Sequence, residues 1–376
     1  MKPSGGRATS SMRRPDGGKG TLEHDVAALA AMERGSASEG ERRSAAWIAA
    51  RLRQVDIEAE IEPYRGRGTF AWAYALLALS GLLAARLRRR LGWPLSLSAI
   101  AALELDASGR FSLPMGTGEG ANVVARVPAA GKRARTVVLV AHHDTQRTGV
   151  VWRPALHEPG AARRLRTRSI PPYLLPAAAA LLLHRTRLGR GMLCLFAATS
   201  VEQALRSPVP GANDNGSGVA AVLALLERFA GSPLEDTEVI GAFVGSEESG
   251  MHGMRAFLRS GSFDPETTLV VVLDTLGCGT PIVLRAEHAL LRHRYVERDL
   301  ALVPGHVERW SIGGWTDALQ AKLAGLRTVS LLSIGPKGLF THYHHPTDTP
   351  EHVDFASVRA CIDVAVETIH AFSAGG

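Results

Sequence analysis

What most limits the fold of this chain is a series of five short segments, each setting a β-like run or a glycine-rich turn beside His, Asp or Glu. They read VVLVAHHDT (137–145), PGANDNGSG (210–218), GSEESGMHG (245–253), VVVLDTLG (270–277) and THYHHPTDT (341–349). Unbroken β-branched runs predict strands buried on both faces. Open α/β sheets place their chemistry at the carboxyl ends of such strands. Strands are predicted at 121–127, 136–142, 238–244, 268–274, 281–285 and 328–333, with IEAEIEPY extended before them. Helices are predicted twice between 23 and 55, then at 217–230, 251–260 and 352–372. Alternation of this kind implies an α/β three-layer sandwich around a mostly parallel, mixed central sheet.

Each segment also has a plain structural reading. A lone His-x-Asp such as His142 and Asp144 is usually surface decoration. GANDNGSG alone fits an Asx turn capped by Ser217, with Asn213 and Asn215 as turn formers. The helix after it is carried by Val219, Val222, Leu223, Leu226 and Phe229 at helical spacing. Glu247 and Glu248 are adjacent acids of a common surface type, and Asp274 can cap local backbone. Placement at strand ends changes the balance, because successive side chains there point to different faces. On that rule His143 faces away from His142.

Two stretches stand apart. TFAWAYALLALSGLLAA, RLRRRLGWP and LSLSAIAALEL follow one another; IPPYLLPAAAALLL, HRTRLGRG and MLCLFAATS repeat the pattern. Each predicts an apolar helix, a basic turn and a shorter apolar helix. The boundaries that follow are 1–20 as a disordered basic tail, 67–106 and 167–204 as two inserted hydrophobic hairpins, and 21–66, 107–166 and 205–376 as one catalytic domain. The apolar run 69–85 just reaches the roughly 17 residues needed to span a bilayer. The hairpins therefore imply either membrane lipid contact or a helical lid. The first reading makes the protein membrane-associated with no cleavable signal peptide, the second soluble and cytoplasmic. Hydrophobic residues make up 45% of the 376, and the net charge is +7. The arginines are scattered and form no nucleic-acid module, so anionic lipid is the better match for the positive charge. Cys194, Cys278 and Cys361 form no metal spacing and are expected as buried thiols.

In their order the five segments resemble the zinc aminopeptidase family of peptidase clan MH, the bacterial leucine aminopeptidase type, whose relatives include glutamate carboxypeptidase and glutaminyl cyclases. The resemblance covers about 120–145 and 208–372, with a weaker echo at 21–64. It implies two zinc ions, with Co2+ or Mn2+ as substitutes, held by His142, Asp214 and Asp274 and by Asp214, Glu248 and His344. His344 is chosen over His342 and His345 because the family's ligand His lies four residues before an acid, here Asp348. Asp144 would orient His142, and Glu247 would be the general base that activates a metal-bridging water. The activity implied is removal of N-terminal residues from peptides with a free N-terminus. A glutaminyl-cyclase-like single-zinc acyltransferase and a non-catalytic, membrane or receptor-like domain on the same fold are the alternatives.

Overall fold

The structure is a computed structural model that describes residues 21–113 and 115–375. The tail expected at 1–20 lies outside the described residues. The chain begins with helices α1 (Leu22–Ala30) and α2 (Glu39–Arg53), then strand β1 (Ala59–Arg67) and helices α3 (Ala71–Arg86) and α4 (Arg89–Ala107). Strands β2 (Thr117–Val127) and β3 (Arg135–His142) precede α5 (Pro154–His157), α6 (Ala161–Thr167), α7 (Leu175–Leu182) and α8 (Arg187–Ala204). Next come α9 (Gly218–Gly231), β4 (Thr237–Val244), α10 (His252–Ser260), β5 (Thr268–Leu273), β6 (Thr280–His288) and β7 (Arg292–Arg294). The chain closes with α11 (Glu297–Leu300), β8 (Glu308–Ile312), α12 (Ala318–Leu323), β9 (Arg327–Ile334) and α13 (Phe355–Ser373).

The sheet runs β1-β2-β4-β3-β5-β9-β6-β7, with β8 paired to β6. Its centre, β4-β3-β5-β9, is parallel, and β1, β2 and β6 add antiparallel pairs. The parallel strands read as continuous apolar runs because both faces are covered; every residue of β5 and β9 is buried. Helices α1, α9 and α13 pack together on one face, while α10 and α12 form a second group against β2, β4, β5 and β9. On α9 the five residues that set its spacing are all buried, none more than 2% exposed. The predicted strands and helices all form, to within a few residues at their ends. Short β7 and β8, and the helices α5, α6, α11 and α12, carry too little periodic signal to be predicted.

The two apolar stretches form α3–α4 and α7–α8, which share a second hydrophobic cluster that includes Tyr74, Leu77, Leu103, Leu181 and Leu193. Gly81 lets α3 approach closely, since a Cβ there would lie 2.7 Å from Leu181 and 2.9 Å from Leu193. In both pairs the second helix is the longer, contrary to expectation. Arginine is a good helix former, so Arg89, Arg90, Arg187 and Arg190 continue into the helices rather than forming turns, while Pro171 and Pro172 delay the start of α7. Among the described residues no helix is long and apolar enough to cross a membrane. The 16 residues of α3 rise about 24 Å at about 1.5 Å each, against a hydrocarbon core of about 30 Å. Cys194 is exposed on α8, unlike buried Cys278 and Cys361, which corrects the expectation for that thiol.

One buried seam joins this helical layer to the sheet. Arg67 on β1 donates to Asp106 on α4, with Nη1 to Oδ2 at 2.7 Å, and both side chains are almost fully enclosed. Glu104 accepts the Leu290 amide at 2.8 Å. Arg255 on α10 reaches Ser112 at 3.1 Å and His252 Nδ1 at 2.9 Å.

Candidate metal centre

Strands β3, β4 and β5 end side by side, and the segments after them deliver the acids. His142 is the last residue of β3, and Asp274 follows β5 directly. Glu247 and Glu248 lie three and four residues beyond β4, past Ser246 at φ +52°. Asp214 comes from the loop ahead of α9. Gly211 turns the chain into that loop at φ +62°, where a Cβ would stand 2.2 Å from Thr145. The asparagines do more than form a turn. Asn215 Oδ1 accepts from Gly218 N and Thr275 N, and Asn213 Oδ1 accepts from Gly277 N at 2.6 Å, tying the loop to the end of β5. Asn215 thus caps α9 in place of Ser217, whose hydroxyl instead bonds Asn213 O. Asp348 accepts the Asn213 and Asp214 amides at 2.8 and 3.0 Å, fixing the same loop from the other side.

Asp214 stands between two imidazoles. Its Oδ1 lies 3.3 Å from His142 Nε2 and its Oδ2 lies 3.1 Å from His344 Nε2. Asp274 Oδ1 is 3.8 Å from His142 Nε2, and Glu248 Oε2 is 3.2 Å from His344 Nε2. Donor atoms therefore converge in two triads, His142–Asp214–Asp274 and Asp214–Glu248–His344, each set within 4.8 Å. A third set, His142–Glu247–Glu248, meets the same limit. The residues suit divalent cations. Asp214 Oδ2, Glu248 Oε1 and both His344 nitrogens are buried and make no hydrogen bond, which is costly unless a cation compensates. Among the described residues no lysine or arginine lines the innermost pocket, which holds His142, Asp214, Glu247, Glu248 and Asp274. Carboxylate and imidazole donors together suit zinc.

The electrostatics follow from crowding. Burial alone would raise Asp214, but His142 and His344 on either side hold its carboxyl below the usual range. Burial, opposed by His344, pushes Glu248 up to about 7. Glu247 is driven well above its ordinary value by burial, against His142 and with Glu248, Asp317 and Asp274 adding repulsion. It keeps partial solvent exposure, whereas Glu248 is buried. For His344, burial lowers and Glu248 and Asp214 raise, to a net value of about 9.

Asp144 is held by Ser36 Oγ at 2.6 Å and the amides of Glu247 and Glu248 at 3.0 and 3.3 Å, and its Oδ1 lies 3.6 Å from His142 Nδ1. Its carboxylate thus sets the Glu247–Glu248 turn, while its backbone carbonyl, 3.2 Å from His142 Nδ1, holds the imidazole. His143 points away, bonding Ser44 and Ala121 O. His342 and His345 both bond Thr347 outside the cluster. Residues with no sequence signal complete the site. Gln146 Nε2 donates to Glu248 Oε2 at 3.0 Å. Glu41 accepts Ser246 N and Tyr64 OH, and burial beside Asp144 pushes it up to about 7. Tyr343 stacks on the His344 ring at 3.7 Å, and Trp152 meets it edge-on at 4.3 Å. Asp317, given no role from the sequence, is buried near Asp274 with both oxygens free of hydrogen bonds.

A profile for peptidase family M28 matches residues 197–369, which contain Asp214, Glu247, Glu248, Asp274 and His344. This match makes the C-terminal part of the chain, residues 197–369, similar to peptidase family M28. A "probable lipoprotein aminopeptidase" of Mycobacterium tuberculosis is 47% identical to this chain over 65 residues, 17% of the chain and only 13% of that relative. An aminopeptidase from Aneurinibacillus superposes with a TM-score of 0.56 at 14% identity, covering 93% of this chain and 92% of its own. A zinc aminopeptidase from Bacillus subtilis gives 0.56 at 12% identity over 93% of both chains. A glutaminyl cyclase from Bacteroides thetaiotaomicron gives 0.54 at 13%, covering 93% and 96%. At these identities the superpositions establish a shared α/β fold.

Proposed function

We propose that this chain is a di-zinc aminopeptidase of the M28 type that hydrolyses the N-terminal residue of peptides. The observation that carries the reading is Asp214, whose two oxygens face His142 and His344 separately. One zinc would be held by His142, Asp214 and Asp274, the other by Asp214, Glu248 and His344. Bound there, zinc supplies Lewis-acid polarisation of a carbonyl and lowers the pKa of a coordinated water. The partly exposed Glu247 takes the proton of the attacking water and returns it to the leaving amine. Asp144 keeps His142 in one tautomer. The match of residues 197–369 to peptidase family M28 and the zinc aminopeptidases that share the fold support a peptide substrate. Metal analysis of the purified protein with a panel of aminoacyl substrates tests the reading: two zinc ions and turnover are expected. One zinc with cyclisation of Gln-peptides would replace it with the glutaminyl-cyclase reading, which the shared fold keeps in view.

The helical layer supports a second element, peripheral lipid contact. Leu79 and Leu83 on α3 and Leu188 and Leu195 on α8 are more than half exposed, beside Arg86, Arg88, Arg89 and Arg90 on the first pair. Exposed apolar groups rimmed by arginine suit an anionic lipid surface. Sedimentation with anionic vesicles, released by detergent and not by high salt, is expected; failure to sediment removes this element and leaves the metal centre untouched.

A further inference from the structure

We infer that a cavity walled by the helical layer receives an extended aliphatic chain carried by the substrate next to the scissile bond. The inference deepens the peptidase reading and rests on it.

The cavity, about 670 Å³, is lined chiefly by Phe70, Tyr74, Trp152, Leu174, Met192 and Phe196. It is not separate from the metal centre. Phe70, Tyr74, Trp152, Tyr173 and Leu174 also line a neighbouring pocket of about 140 Å³ that contains Glu247, Glu248 and His344. Trp152, in edge contact with the His344 ring at 4.3 Å, is the common wall.

Three properties specify the occupant. The first is size, since an apolar cavity of about 150 Å³ already holds benzene, and this one is several times larger. One leucine would leave most of it empty, whereas a chain of about ten carbons would not. The second is charge. Among the described residues the lining contains no acid and only Arg153 as a fixed cation. A free amine is therefore drawn to Glu247 and Glu248 and not into the cavity, so the polar end of the substrate stays at the metal centre. The third is origin. Met192, Leu195, Phe196 and Thr199 come from one side of α8, Phe70 and Tyr74 from the start of α3, and Leu174, Pro176 and Ala177 from α7. The cavity thus exists because these helices pack beside the sheet ends, and methionine supplies an adaptable wall.

The test uses full-length, zinc-loaded protein and two series of dipeptide amides. In one series the N-terminal residue carries a linear alkyl side chain of growing length; in the other the following residue does. In one of the two series kcat/KM is expected to rise about fourfold per added methylene until the cavity is filled, and that series identifies the side of the bond that enters it. Thr199→Trp and, at the exposed rim, Leu195→Trp should collapse the ratio of long-chain to short-chain substrates by about tenfold or more. Ile61→Trp on exposed β1, far from the cavity, should keep the ratio. Calorimetry on metal-free protein with 1-decanol reads the cavity without catalysis, and binding should be lost in Thr199→Trp. Binding of decanol with no turnover of any aminoacyl substrate would overturn the peptidase reading and spare the cavity. Turnover of short substrates with no length dependence in either series, and no decanol binding, would overturn this inference and spare the metal centre.

Discussion

At the ends of β3, β4 and β5 the chain buries Asp144, Asp214, Glu248 and Asp274 beside two imidazoles, while α3, α4, α7 and α8 bury mainly alkyl and aromatic groups and leave leucines outside. The difference lies in the backbone. Non-helical backbone around the sheet ends has amides to spare, and these satisfy buried acids: two from the turn after β4 reach Asp144, two from the loop ahead of α9 reach Asp348, and three, from the loop after α1, from β2 and from the turn after β4, reach Glu41. A helix satisfies its own amides internally, so it has none to lend to a buried charge. Charge in the helical layer is accordingly placed at its seam with the sheet, where Arg67 and Asp106 neutralise each other. The sheet half is built to hold cations and the helical half to shape apolar space.

Four tests probe that division, the largest expected effect first. Glu247→Gln should lower kcat by about 10²–10⁴-fold while zinc content stays near wild type. Loss of zinc would make Glu247 a ligand, as the His142–Glu247–Glu248 grouping allows geometrically. At the seam, Asp106→Ala strands the buried Arg67 guanidinium and should cost about 3–5 kcal/mol in urea unfolding. A loss below about 1 kcal/mol would mean that water reaches the pair, and the two halves would then be joined mainly by apolar contact. Asp144→Asn should weaken zinc binding about 10–100-fold in competition with a chelator, with His344→Ala lowering zinc content and His345→Ala leaving it unchanged. Equal losses at His344 and His345 would break the assignment of the second site.

The smallest effect concerns His252, at the seam. Burial, with Arg255 and Arg67 nearby, depresses its pKa to about 3 from an ordinary 6.5. The folded state therefore binds fewer protons than the unfolded one, and the contribution is present above about pH 6.5 and lost as pH falls towards 3. Wild-type protein should lose stability relative to His252→Gln when urea midpoints are compared at pH 7 and pH 5. Parallel behaviour of the two proteins would show that His252 takes up its proton without penalty.

Much of the sheet was legible in the sequence, because β-branched runs that end in an acid or histidine are unlike anything a surface helix needs. Asp214 was less legible. GANDNGSG has the composition of an ordinary turn, and only the placement of its loop against Asp348 and the end of β5 sets the carboxylate between two imidazoles. Ser36, Glu41, Gln146 and Trp152 gave no signal, since each reaches the site through a long-range contact and lies in no motif. The helical pairs were visible as apolar stretches, but their proportions were not. Helix ends depend on capping and proline placement more than on hydropathy, and so arginine-rich segments expected as turns became helix.

The sequence by itself determined the long buried strands and which charged side chains would stand at their ends, because strand propensity and alternation act over a few neighbouring residues, whereas short β7 and β8 were not legible. The spacing to Asp348 pointed to His344 through the family resemblance, but only the tertiary structure decided why that imidazole, and not a neighbouring one, faces the cluster. His342 and His344 both adopt left-handed backbone, at φ +58° and +52°, where the alternation of a strand no longer assigns faces. His344 is buried against Tyr343 and Trp152 while His345 stays outside. That choice depends on the path of the loop past Asp348, and the path is fixed by contacts more than a hundred residues apart in the chain.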